Sequence, residues 1–209
     1  MKVKKRNGRL EDFNVEKINK CAERACEGLE NVSASQVILA AEIKLYDKVT
    51  TLEIDKSLIM SARSKIEYEP NYSLVAARLL LNTIYKEVFG EGVDSDANEF
   101  QYRKSFITNL RRLVREEILN PELVESYDLR ELSDRLDLTK DSNWRYLGIQ
   151  TIYDRYLLHI DNRRMETPQA MWMRVAMGLA LNEEPEKRQE YALRFYEVLS
   201  NFDLVSSTP

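Results

Sequence analysis

The chain is poor in the residues that interrupt or staple a fold. Six glycines and five prolines stand among 209 residues, roughly 5% of positions against an average of about 12%, which favours helices over a turn-rich β architecture. Two cysteines, Cys21 and Cys26, lie five apart inside a helical pattern, and His159 is the single histidine. With no CxxC spacing and one imidazole, they exclude a zinc site and a disulfide scaffold. The longest apolar candidate, Leu74 to Leu81, is interrupted by Arg78, well short of the run of about 18 residues that a bilayer span needs. Behind the basic N-terminus there is no apolar stretch of the kind a signal peptide carries, so the expectation is a cytoplasmic protein without membrane contact. Walker, GxGxxG and GxSxG motifs are also absent. Phosphoryl transfer, dinucleotide binding and serine hydrolysis by those routes have no support.

What is present is ample material for a core: 44% hydrophobic residues beside 32% charged ones. The net charge of −4 argues against nucleic acid as the partner of the whole chain. Residues 1 to 9 nevertheless carry Lys2, Lys4, Lys5, Arg6 and Arg9 with no acid among them. A local basic cluster on an acidic protein suits a small polyanion, the plain alternative being a solvated tail.

The hydrophobic pattern is mainly helical. Asn7-Gly8 between Lys2–Arg6 and Arg9–Phe13 predicts a short hairpin with a type I′ turn. Asn14 offers an N-cap to a helix of about four turns whose apolar face is Val15, Ile18, Ala22, Ala25 and Leu29. Cys21 and Cys26 fall in or beside that stripe, where packing is the expected role of a thiol. Ser33-x-x-Gln36 reads as a capping box for a second helix, and Thr50 with Glu53 as another for a third, unless Thr51 caps directly. The third helix carries Ile54, Leu58, Ile59, Ala62 and Ile66 and stops at Pro70. A fourth runs from Asn71 to Gly90, which stands at a C′ position. Residues 91–99 are polar and acidic and read as a linker. Beyond it are a helix ended by Asn120-Pro121, short pieces over 122 to 140, and a hairpin turning at Asp161–Arg164. Helices follow from Pro168 to Leu181 and from Glu186 to Leu199. His159 reads as a surface residue, and Met171, Trp172, Met173 and Met177 as core.

Val3-Lys4-Lys5-Arg6-Asn7-Gly8, Glu11, Asn14, Lys17-Ile18, Thr51 and Ile54 follow the order VxKRxG, E-x-x-N-x-x-K-I and T-x-x-I. This order resembles the ATP-cone of ribonucleotide reductases. EGLENVSASQV, YSLVAARLLL, YLGIQTIYDRYLL, ETPQAMWMRVAMGLAL, and RFYEVLS followed by SSTP resemble the N-terminal portion of the class I large subunit, over nearly the whole chain. The resemblance implies an N-terminal β-hairpin plus four helices over 1–90 as an allosteric nucleotide domain, and over 100–209 the helical region that precedes a ten-stranded α/β barrel. It implies ATP or dATP as effector, with Lys5 and Lys86 at the phosphates and Arg6 among the effector-binding residues. Glu11 and Asn14 fall to the nucleoside, and Lys17 and Thr51 to phosphate or ribose. Asp55 and Thr83 stand where some relatives have histidine, and Asn82 where some have an aromatic ring. In the SSTP segment Thr208, with Ser207, is implied at the substrate. The implied partners are the remainder of the large subunit, in the same gene or a split one, and a radical-generating small subunit. The rival reading is a stand-alone nucleotide sensor, against which the missing zinc-ribbon cysteines count.

The family's reducing thiols lie in the barrel, which this chain does not contain, and Leu179, Leu181, Leu193, Phe195, Leu199, Phe202 and Leu204 are expected to form an apolar patch facing it. An assay of the chain with a small subunit and a reductant should give no deoxyribonucleotide, and Cys21→Ala or Cys26→Ala should at most lower stability. Measurable turnover would contradict the assignment of both cysteines to packing.

Overall fold

A computed structural model describes residues 1–41, 46–90 and 99–205. It divides into two compact units. The first is Met1–Lys86 with Trp144–Ile152, and the second is Glu87–Asn143 with Tyr153–Pro209.

In the first unit, β1 (Lys2–Lys4) and β2 (Leu10–Asp12) form the expected hairpin, with Val3 opposite Glu11. Its turn is not type I′. Gly8 alone has positive φ, +84°, and the Lys5 carbonyl accepts from Gly8 N–H at 2.9 Å while Lys5 N–H donates to Arg9 O at 2.8 Å. That is a three-residue loop ending in a left-handed glycine. The Asn7 side chain accepts from Arg9 N–H at 2.9 Å, a local turn that leaves Asn7 itself with no need of positive φ.

Asn14 caps α1 (Val15–Cys26) by accepting from Glu16 N–H. Ile18, Ala22 and Ala25 are buried, but Val15, in the first turn, is half exposed and lies off that face. Ser33 caps α2 (Ala34–Ala40), yet the capping box is not reciprocal. The Tyr72 hydroxyl accepts from Ser33 N–H at 3.1 Å and donates to Gln36 Oε1 at 3.2 Å, so a tyrosine from elsewhere stands between the box's two partners. The apolar residues Ile43 and Leu45, past α2, lie outside the described residues.

A strand that periodicity could not show follows. β3 (Val49–Thr50) pairs in parallel with β1, Val3 opposite Val49 and Lys4 opposite Thr50, giving the sheet order β2-β1-β3. Lys48 N–H to Lys2 O and Lys2 N–H to Asp47 Oδ1 fix that register. Thr50 then caps α3 (Thr51–Ser64) in a complete capping box with Glu53, so Thr50 and not Thr51 is the cap. Glu53 is further held by the Tyr46 hydroxyl at 2.8 Å, and these hydrogen bonds keep its carboxyl below the usual range. α4 (Tyr72–Phe89) is the most buried helix of the unit, with Val75, Ala76, Ala77 and Ile84 inaccessible or nearly so. Its Arg78 donates to Ala25 O and Glu27 O and so covers the open carbonyls at the end of α1. Gly90 follows α4 at φ +87°.

The linker expected at 91–99 lies outside the described residues apart from Glu99, which opens α5 (Glu99–Arg115) of the second unit. α6 (Glu122–Glu125), α7 (Leu129–Asp134) and a 3-10 turn (Leu138–Asn143) lead into α8 (Tyr146–Arg155). β4 (His159–Ile160) and β5 (Arg163–Arg164) then make a hairpin in which Asp161 and Asn162 both have positive φ. The type I′ turn is therefore here, two residues long, and Arg163 and Arg164 belong to the strand instead of the turn. Thr167 caps α9 (Pro168–Ala180), whose Met171, Met173 and Met177 are core, and α9 packs along α10 (Arg188–Ser200). The residues of the expected apolar patch differ in exposure. Leu199 is buried, while Leu179 and Leu204 are more than half exposed. No helix among the described residues is long and apolar enough to cross a membrane.

Thr50→Ala removes the side-chain acceptor of the α3 cap. It should lower stability in urea unfolding by about 1 kcal/mol, and an unchanged midpoint would show that the box contributes nothing.

Candidate functional site

Parallel pairing of β1 with β3 sets the exit of β1, Lys5 and Arg6, beside the start of α3. Three charged side chains meet there. Arg6 Nη2 lies 2.8 Å from Asp55 Oδ2, and Lys86 Nζ lies 3.2 and 3.3 Å from the two Asp55 oxygens. Asp55 sits in the first half of α3 on the same side as Leu58, Ile59 and Ala62, and its side chain is only 11% exposed. A carboxylate on a buried helix face must be paired to stay charged, and here one carboxylate takes two cations.

A second cluster stands on the hairpin. Glu11 Oε2 accepts from Lys17 Nζ at 3.2 Å and lies 3.9 Å from Lys5 Nζ. The hydrogen bond from Lys17 and the charges of Lys5 and Arg9 hold the Glu11 carboxyl below the usual carboxylate range. Lys17 is 67% exposed, so this attraction is screened by salt.

Of the residues singled out in the sequence, Lys5, Glu11 and Lys17 thus form one group, and Arg6 and Lys86 another. Asn14 Oδ1 is engaged in the α1 cap at 2.8 Å from Glu16 N. Thr51 is the first residue of α3, at the end where backbone N–H groups lack helical partners. Ser207 and Thr208 lie outside the described residues.

Sequence reasoning left the organiser of the site unassigned. Asp55 drew notice only as a departure from histidine, though an acid at i with Leu58, Ile59 and Ala62 at i+3, i+4 and i+7 already signals a buried charge that needs a cation. Asn82, noted only where some relatives have an aromatic ring, also has a partner that the sequence does not show. Its Nδ2 donates to Cys21 Sγ at 3.4 Å, and burial pushes the Cys21 thiol up against the opposing pull of Lys86. A thiol so raised is protonated at neutral pH and inert, in keeping with a packing role.

The depressed Glu11 carboxyl favours the folded state while it is ionised. That contribution is present above the ordinary carboxylate pKa of about 4.3 and is lost as pH falls through the lower folded value. A carboxyl NMR titration should place Glu11 below the ordinary range and move it back toward that range in Lys17→Ala. A titration at the ordinary value in the unmodified chain would contradict the pairing.

Two family profiles match the chain, the ATP cone domain over residues 1–87 and the ribonucleotide reductase all-alpha domain over residues 143–209. Ribonucleoside-diphosphate reductase subunit alpha of Chlamydia muridarum is 41% identical over 190 residues, 89% of this chain and 18% of that protein. The subunit of the same name from Helicobacter pylori strain 26695 is 40% identical over 210 residues, 99% of this chain and 25% of that protein. Ribonucleoside-diphosphate reductase 1 subunit alpha of Escherichia coli K12 is 29% identical over 213 residues, 99% of this chain and 27% of that protein. The chain therefore spans from under a fifth to little more than a quarter of these relatives' length. With an ATP cone followed by the all-alpha domain, and with similarity along nearly its whole length, the chain belongs to the ribonucleoside-diphosphate reductase alpha-subunit family, as an N-terminal portion.

Proposed function

We propose that the first unit binds ATP or dATP as an allosteric effector of a ribonucleoside-diphosphate reductase. Lys5, Arg6 and Lys86 meet the phosphates, with Lys17 and the N-terminal residue Thr51 of α3 at phosphate or ribose, and Glu11 and Asn14 at the nucleoside. The observation that carries this reading is the convergence of Arg6 and Lys86, from the hairpin loop and the last turn of α4, on one small acceptor within 3.3 Å. Two cations converging on a pair of oxygens are what a phosphate requires. Asn14 takes part through its amide, since its oxygen holds the α1 cap.

The second unit contributes to a catalytic domain, and reduction of ribonucleoside diphosphates takes place once the cysteine-bearing barrel is supplied. Its partners are the rest of the large subunit and a radical-generating small subunit, and Thr208 with Ser207 meets the substrate. Exposed Leu179, Val198, Leu204 and Val205 support a polypeptide partner at that end.

Calorimetry on the whole chain should show ATP or dATP binding that Lys86→Ala or Lys5→Ala weakens about tenfold or more, the loss of one charge-assisted phosphate contact. No heat with either nucleotide at millimolar concentration would overturn the effector reading.

A further inference from the structure

A carboxylate and a phosphate ask the same thing of a cation: two oxygens within hydrogen-bond distance of its N–H groups. At the convergence of Arg6 and Lys86 the oxygens belong to the protein itself. Asp55 presents Oδ2 to Arg6 Nη2 at 2.8 Å and both oxygens to Lys86 Nζ at 3.2 and 3.3 Å. A nucleotide phosphate that engages these cations must therefore take the place of Asp55, because both anions compete for the same donors and repel one another.

We propose that Asp55 is an internal counter-ion that competes with the nucleotide's phosphates for Arg6 and Lys86 and so sets the affinity of the cone for its effector. The inference rests on the effector reading and adds to it the residue that opposes binding. The three elements differ in freedom. Asp55 is fixed within α3, whereas Arg6 leaves the loop that ends at the left-handed Gly8 and Lys86 reaches in from the last turn of α4 with a third of its side chain exposed. The cations, on long side chains, are the parts that move. Once they turn to a phosphate, Asp55 is left on a buried helix face without them, a cost that every bound nucleotide carries. Binding is then an exchange of ion pairs, and removing the internal anion tightens it.

The test compares the unmodified chain with Asp55→Asn and Asp55→Ser by calorimetry, using ATP and inorganic tripolyphosphate as probes and circular dichroism to confirm folding. Both variants should bind both probes tighter by about tenfold or more, the effect of one competing charged contact. Folded variants that bind no tighter than an unmodified chain that itself binds would overturn the counter-ion role and leave the effector reading intact. Absence of binding by all three chains would overturn both. Should neither variant fold, NMR of the unmodified chain decides: ATP should shift the Asp55 carboxyl carbon together with the Lys86 amino group. Movement of Lys86 signals over an unchanged Asp55 carboxyl would overturn the proposal.

Discussion

The first unit turns on one carboxylate. Asp55 ties the hairpin loop through Arg6 and the last turn of α4 through Lys86 to the helix it stands on, so three elements distant in sequence meet at a single pair of oxygens. The pairing is possible because β3 delivers α3 directly beside β1: the parallel register of Lys4 with Thr50 fixes where Arg6 emerges, and the Thr50–Glu53 box fixes where α3 begins. The box is local, whereas the strand pairing joins residues 46 positions apart. Their common product is a site in which positive charge is gathered and held in part by the protein's own acid.

The second unit solves a different problem, that of polar groups inside a helical core. Tyr102 donates to Asp141 at 2.9 Å, Gln169 Nε2 donates to the other Asp141 oxygen at 2.8 Å, and Tyr196 donates to Gln169 Oε1 at 3.0 Å while accepting from Asp137 N–H. Every one of these side chains is buried, and the chain of donors and acceptors satisfies them in sequence. Burial pushes the Tyr196 hydroxyl well up, and that of Tyr127, which donates to Met177 O at 2.6 Å, up to about 12. Both phenols stay neutral at physiological pH. The network pins α5, the 3-10 turn, α9 and α10 to one another and calls for no catalytic role.

Where the chain carried a strong local signal, the fold was legible. The apolar run ending at Gly90, the Pro168 start of α9 and the Thr50–Glu53 box each rest on residues within one element, and each is present as read. The misreadings share a cause, which is contact with something distant in sequence or competition from a neighbouring side chain. β3 is two residues long and exists because β1, some 46 positions earlier, pairs with it. The Ser33–Gln36 box yields to Tyr72, and the Asn7-Gly8 turn to the Asn7 side chain on Arg9 N–H. The site followed the same rule. Its cations were legible through the basic hairpin and the motif order, whereas Asp55, the partner that organises them, stands out in the sequence only as a departure from histidine, because the cations that pair with it come from elements distant in sequence.

That the gathered charge serves a nucleotide is the central claim, and a crystal structure of the chain grown with ATP addresses it most directly. The account predicts phosphate oxygens within hydrogen-bond distance of Arg6 and Lys86, with both side chains drawn off Asp55 and the nucleoside beside Glu11 and Asn14. Nucleotide seated elsewhere, with Arg6 and Lys86 still closed on Asp55, would contradict it.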